Sequence, residues 1–184
     1  MKIIIISCSL HPQSRSNVLA RQMVSTLQTQ GIRAPLYDLR DYDIDFCDAM
    51  TASDKPDAKM IISAIAEADA VLLAVPIYNY DVNAAAKNLL EIGLRAWNNK
   101  LVGFMCAAGG RASYMSVMSL ANSLMLDFRC LIVPRFVYAT GDDFGNDRAE
   151  DMYVSSEAVQ ERITELGQTT LDLMNALQAI NQKS

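Results

Sequence analysis

The chain has 184 residues and a formal charge of −5, from 16 Lys and Arg against 21 Asp and Glu. That length suits one domain over residues 1–184, and an apolar share of 51% excludes a disordered chain. The acidic balance argues against nucleic acid and anionic membrane as partners, since both need a basic face. The single histidine, His11, excludes a histidine-rich metal centre. Cys8, Cys47, Cys106 and Cys130 form no CxxC pair, so neither a zinc site nor a thioredoxin motif is present. Unpaired cysteines fit a reducing, cytoplasmic setting. No apolar run approaches the roughly 20 residues that span a membrane. The N-terminal isoleucine run is also too short for a signal peptide.

In chain order the pattern is alternation. Lys2–Cys8 is a continuous β-branched run, the signature of a strand buried on both faces. Ser16–Gln30 carries Leu19, Met23 and Leu27 at helical spacing, and Gly31 can end that helix. Ala34–Leu39 reads as a second strand. Arg40–Lys55 is an irregular acidic excursion. Pro56–Ala68 reads as a helix capped by Ser53 or Asp54. Ala70–Ile77 is the central strand, Asn83–Ile92 a short helix and Leu101–Ala107 another strand. A helix over Ser113–Phe128 is expected to turn Tyr114, Met118, Ala121, Met125 and Phe128 inward. Leu131–Val137 is a fifth strand, with Pro134 marking an edge. The last helix, about Ser156–Ile180, has the stripe Val159, Ile163, Leu166, Thr170, Leu173 and Leu177. Five strands alternating with five helices predict an α/β fold, a three-layer, doubly wound, five-stranded parallel sheet. Ligands of such sheets bind beyond the carboxyl ends of the strands.

Three loops fall on that edge. The first, Ser9–Asn17, joins a buried strand to a helix N-terminus, where unpaired N–H groups and partial positive charge favour phosphate. Ser9, Ser14, Ser16 and Asn17 add donors, and Arg15 adds charge. The alternative is a plain polar turn with an N-cap. The loop has neither GxGxxG nor GxxxxGK[ST], which excludes a dinucleotide fingerprint and a nucleotide P-loop. Cys8 ahead of Arg15 and Ser16 invites a tyrosine-phosphatase reading, but six residues separate Cys from Arg where that motif has five. The second loop, Pro76-Ile77-Tyr78-Asn79-Tyr80, offers an apolar and aromatic surface for a flat ring, or a cover for the sheet end. The third, Ala108-Gly109-Gly110-Arg111, pairs glycines that permit positive φ and close backbone approach, or form a plain turn. Arg111 is either a solvated cap or an anion contact. An anion cradle, an aromatic wall and a close-approach backbone fit a phosphate on a flat heterocycle, and FMN is the economical candidate.

With these loops the chain resembles the NADPH-dependent FMN reductase family of flavodoxin-like proteins. The family's first-loop pattern Gly-Ser-x-Arg-x-x-Ser-x-[Asn/Ser] aligns without gaps on Cys8-Ser9-Leu10-His11-Pro12-Gln13-Ser14-Arg15-Ser16. The Ser14-Arg15-Ser16 run is similar to that of alkanesulfonate-linked members. The family's Pro-x-Tyr-Asn and Lys-Asn are matched by Pro76, Tyr78, Asn79, Lys87 and Asn88, and its glycine pair by Gly109 and Gly110. Three departures are Cys8 for Gly, His11 for Arg and Ile77 for Glu.

The resemblance implies strand order 2-1-3-4-5 and one flavodoxin-like FMN-binding domain. It implies ping-pong transfer of electrons from NAD(P)H through FMN to a small-molecule acceptor: free flavin, quinone, azo compound or metal oxyanion. The flavin carries that chemistry, so no catalytic side chain is assigned. A noncatalytic flavodoxin-type carrier is the alternative, but such carriers have a Thr-Gly-Asn-Thr first loop, which is absent here. Members are commonly dimers or tetramers. A second apolar row on the fourth helix, Met115, Val117, Leu120 and Leu124, is expected to lie outward and serve a homodimer or homotetramer.

Overall fold

The structure, a computed structural model, describes residues 1–181. Its first strand, β1 (Ile3–Ser7), is buried along its whole length. The pleat sends Ile4 and Ile6, with Cys8 just beyond the strand, into one core layer and Ile3 and Ile5 into the other. β1 pairs in parallel with β2 (Leu36–Asp38) and β3 (Ala70–Tyr78), and β3 pairs in parallel with β5 (Leu101–Ala107). Helices α1 (Arg15–Thr29) and α5 (Glu157–Asn181) cover one face, through Leu19, Met23, Ile163 and Leu166. Helices α2 (Pro56–Glu67), α3 (Ala84–Gly93) and α4 (Met118–Phe128) cover the other, through Ile61, Leu89 and Leu124. Burial on both faces is why β1, β3 and β5 read as unbroken apolar runs.

The sheet order is β2-β1-β3-β5-β6, where β6 is Leu131–Ile132. It differs from the expected numbering because a short strand, β4 (Asp81–Val82), folds back antiparallel on β3. The fifth position also departs from the single strand expected over 131–137. It is split into β6 and β7 (Val137–Ala139), both paired with β5. Between the two pairings this edge carries two more residues than β5 does. The excess falls around Pro134, which has no N–H to give the ladder. A second small sheet joins β8 (Phe144–Gly145) to β9 (Tyr153–Val154).

Three local expectations are corrected. The N-cap of α2 is Lys55, without a side-chain cap bond, so neither Ser53 nor Asp54 caps it; Pro56 opens the helix instead. At α4 the two apolar rows are mixed: Met118, Ala121 and Phe128 of the first pack on the core as expected, and Met115 of the second lies outward as expected. Val117, Leu120 and Leu124 are fully buried, while Tyr114 and Met125 lie at the surface. Ala121, from the first row, joins Val117, Leu120 and Leu124 of the second in the buried face. That face, 117, 120, 121 and 124, follows an unbroken i, i+3, i+4, i+7 pattern. Tyr114 lies three residues before Val117 in a 3-10 segment (Arg111–Val117) that is kinked at Ser113, so it falls out of phase with the face that α4 continues from Val117. On α5 the fully buried position after Thr170 is Met174, with Leu173 only partly buried against the same core.

Candidate functional site

Beyond the carboxyl end of β1 the chain turns through a loop that its own side chains hold. Ser9 Oγ accepts from the His11 N–H at 3.2 Å, and His11 Nδ1 accepts from the Gln13 N–H at 3.0 Å. Ser14 caps α1: its Oγ accepts from the Asn17 N–H at 3.1 Å and lies 3.0 Å from Ser16 Oγ. All three serines are at least 95% buried, so their hydroxyls are presented by the fold rather than left free in solvent. The N–H groups of Arg15 and Ser16 belong to the first turn, which has no intrahelical acceptors for them.

The loop is braced from behind. Asn17 Nδ2 donates to Asp38 Oδ2 at 2.6 Å and to Ser7 Oγ at 3.2 Å. Asp38 also accepts from Arg40 Nε, and Arg40 Nη1 donates to the Pro12 carbonyl at 2.6 Å. Asn17 is therefore set apart from the other expected ligands: its amide anchors the loop to β1 and β2 and does not face the cleft.

The second loop is the β3–β4 turn. Asn79 and Tyr80 both have positive φ, 52° and 63°, between the paired residues Tyr78 and Asp81. That is the two-residue I′ pattern, whose second position favours glycine. A tyrosine held there is strained, and its side chain is 70% exposed. Tyr80→Gly is expected to relieve about 1 kcal/mol of strain and raise Tm by roughly 2–4 °C in the ligand-free protein. A lowered Tm in a calorimetric scan would contradict this. Ser119 Oγ donates to Asp81 Oδ1 and ties the turn to α4.

In the third loop neither glycine uses the positive φ it permits; Gly31 alone among the described glycines does. Gly110 is extended, with φ −164° and ψ 173°. Its carbonyl accepts from the Tyr138 hydroxyl, and Tyr138 packs on Tyr114. The glycines contribute space: a Cβ added at Gly109 or Gly110 would meet nothing within 4 Å.

The three loops enclose one cleft of about 620 Å³, lined by Ser9, Ser14, Arg15, Ser16, Pro76 to Tyr80 and Ala108 to Arg111, but not by Asn17. Its size falls within the range of small-molecule sites. Ala107, Ala112 and Ser113 flank the third loop in this lining, and one further residue comes from a distant segment. Arg148, between β8 and β9, reaches the cleft and donates from Nη1 to the Gln13 carbonyl at 2.6 Å. The reading of the sequence missed it. The available signal was a lone arginine among Asp142, Asp143, Asp147, Glu150 and Asp151. Arg15 is already paired: Nε and Nη2 donate to the two Asp147 carboxylate oxygens at 2.7 and 2.5 Å. That contact holds the Asp147 carboxyl below its ordinary range. Asn88, matched by the family pattern, lies elsewhere and pins Cys47 and Asp45 to α3.

The buried Cys8 thiol faces the core, and burial pushes its pKa far up, so no thiolate is available for phosphatase chemistry. Burial likewise raises Cys106 to about 12 and Cys130 to about 11. Of the four thiols only Cys47 is expected to react with an aromatic disulfide reagent near neutral pH. Rapid titration of a second thiol in the native protein would refute this.

A parallel sheet between helical layers, with its cleft at the strands' carboxyl ends, defines a flavodoxin-like α/β protein. The chain belongs to the NADPH-dependent FMN reductase family, whose pattern it matches over residues 1–145. It is 30% identical over 133 residues to an NAD(P)H-dependent FAD/FMN reductase of Geobacillus thermodenitrificans, covering 71% of this chain and 70% of that one. It is 28% identical over 123 residues to an FMN reductase (NADPH) of Pseudomonas putida, covering 66% and 61% respectively. Among solved structures it is similar to FerB, a flavoenzyme NAD(P)H:(acceptor) oxidoreductase from Paracoccus denitrificans. That match has a TM-score of 0.75 at 16% identity and covers 95% of this chain and 97% of that one. The apo form of an NADH:FMN oxidoreductase matches with a TM-score of 0.71 at 18% identity, covering 91% and 89%. These two likenesses speak to the fold alone. The protein is an oxidoreductase, and the cofactors of its family are FMN and NAD(P)H.

Proposed function

We propose that the cleft holds FMN and that the protein passes electrons from NAD(P)H to a small-molecule acceptor of the free flavin, quinone, azo or metal-oxyanion classes. The observation that carries this is the convergence on one cleft of three elements. They are a helix N-terminus with buried hydroxyls, an aromatic turn, and two glycines whose Cβ positions are empty. Ser9, Ser14 and Ser16 and the first amides of α1 would donate to the phosphate. Tyr78, Asn79 and Tyr80 would flank the ring, with Pro76 and Ile77 beneath the turn. Ala108, Gly109 and Gly110 would leave its face open, and Arg111 would stand at the rim. When bound, the flavin supplies the redox chemistry between NAD(P)H and the second substrate. The chain's own work is to bind, orient and expose it. Steady-state oxidation of NAD(P)H by the FMN-loaded protein, with an added quinone or free flavin, tests this reading. Sustained turnover is expected; no turnover would support a carrier instead.

The same reading places the protein in the cytoplasm as a homodimer or homotetramer. No helix among the described residues is long and apolar enough to cross a membrane. Met115 and Leu126 lie outward near α4, 63% and 73% exposed, and supply an apolar face for association. A monomeric mass by light scattering would contradict the assembly.

A further inference from the structure

Building on that reading, we infer that Arg148, carried by the turn between β8 and β9, supplies the principal positive side chain for the FMN phosphate. Arg111 also lines the cleft, but it is exposed and lies on the third loop rather than on the serine loop; two other candidates are compromised. Arg15, on the phosphate loop itself, is held by both oxygens of Asp147, so its charge is already matched. His11 stands where the family pattern has an arginine, and its Nδ1 is used within the loop to accept from Gln13. Arg148 is in no ion pair among the described residues, and its side-chain bond is to a neutral carbonyl. That carbonyl belongs to Gln13, which places the guanidinium on the same loop as Ser14 and Ser16.

The backbone supports the assignment. Asn146 and Arg148 have φ of 51° and 65°, so two left-handed residues flank Asp147 in one tight turn. Arginine gains nothing locally from that conformation, which glycine adopts freely. The turn directs two adjacent side chains, Asp147 and Arg148, back across 132 and 135 residues of sequence to the same loop. Asp147 gives both its oxygens to Arg15, and Arg148, although its charge also acts on that carboxylate, makes no salt bridge among the described residues. A dianionic phosphate is bound more tightly where a guanidinium fork can donate two charged hydrogen bonds. The family pattern ends at residue 145, so it assigns Arg148 no role.

The test is a pair of titrations of the full-length protein with FMN and with riboflavin, which lacks the phosphate, in wild type, Arg148→Ala and Arg148→Lys. FMN affinity of Arg148→Ala is expected to fall about 10- to 100-fold. Riboflavin affinity and Tm should not change. The Lys variant should recover part of the loss, and the salt dependence of FMN binding should weaken in the Ala variant. Unchanged FMN affinity, or an equal loss for riboflavin, would overturn the inference. So would unaltered FMN binding with a raised KM for NADPH but not NADH, which would move Arg148 to the coenzyme. A wild-type protein that binds neither flavin would bring down the functional reading as well, and is thereby told apart from a failure of Arg148 alone.

Discussion

Replacing Gly110 with valine is expected to abolish FMN binding while leaving the fold intact. The backbone at Gly110 is extended, a conformation open to any residue, and a Cβ there meets no heavy atom within 4 Å. The ligand-free protein therefore has no reason to lose stability, and its Tm should match wild type. The branched side chain would instead occupy the space beside the third loop that the flavin needs. A loss of at least a hundredfold in affinity, about 2.7 kcal/mol, is the expected size. Valine tolerated with near-normal FMN binding would show that the glycines only shape a turn.

The second large effect is Asp38→Ala. Asp38 is 9% exposed and receives Asn17 from α1 and Arg40 from the segment after β2. Arg40 in turn holds the Pro12 carbonyl. Alanine would leave a guanidinium and a buried amide without their shared acceptor, at a cost of about 3 kcal/mol. The cost should appear twice, as a lower denaturation midpoint and as weaker FMN binding, because the Ser9–Asn17 loop loses its support. Normal FMN affinity in a destabilised Asp38→Ala protein would separate the brace from the site.

The two variants draw on different kinds of information. The sheet was legible because β1, β3 and β5 are buried on both faces, so their apolar runs need no periodicity to be recognised. The glycine pair and the serine-rich loop were legible because they sit where a strand meets a helix. The role of Asn17 was not, because its partner Asp38 lies 21 residues away. Arg148 was harder still: its contact with Gln13 spans 135 residues, and the surrounding acids read as solvated surface. At α4 the buried face takes Ala121 from one expected stripe and Val117, Leu120 and Leu124 from the other, a division that periodicity alone does not give. The 3-10 segment before α4 shifted the phase. The fifth strand was misjudged as continuous because Pro134 marks an edge but does not state that two residues are inserted there.

The central claim, that this cleft is a flavin site, is tested most directly by titrating the purified protein with FMN. Visible absorbance and flavin fluorescence would be followed before and after NAD(P)H is added. Saturable binding of one FMN per chain is expected, with a perturbed spectrum that bleaches on NAD(P)H addition. A colourless protein that leaves the spectrum and fluorescence of added FMN unchanged would contradict it.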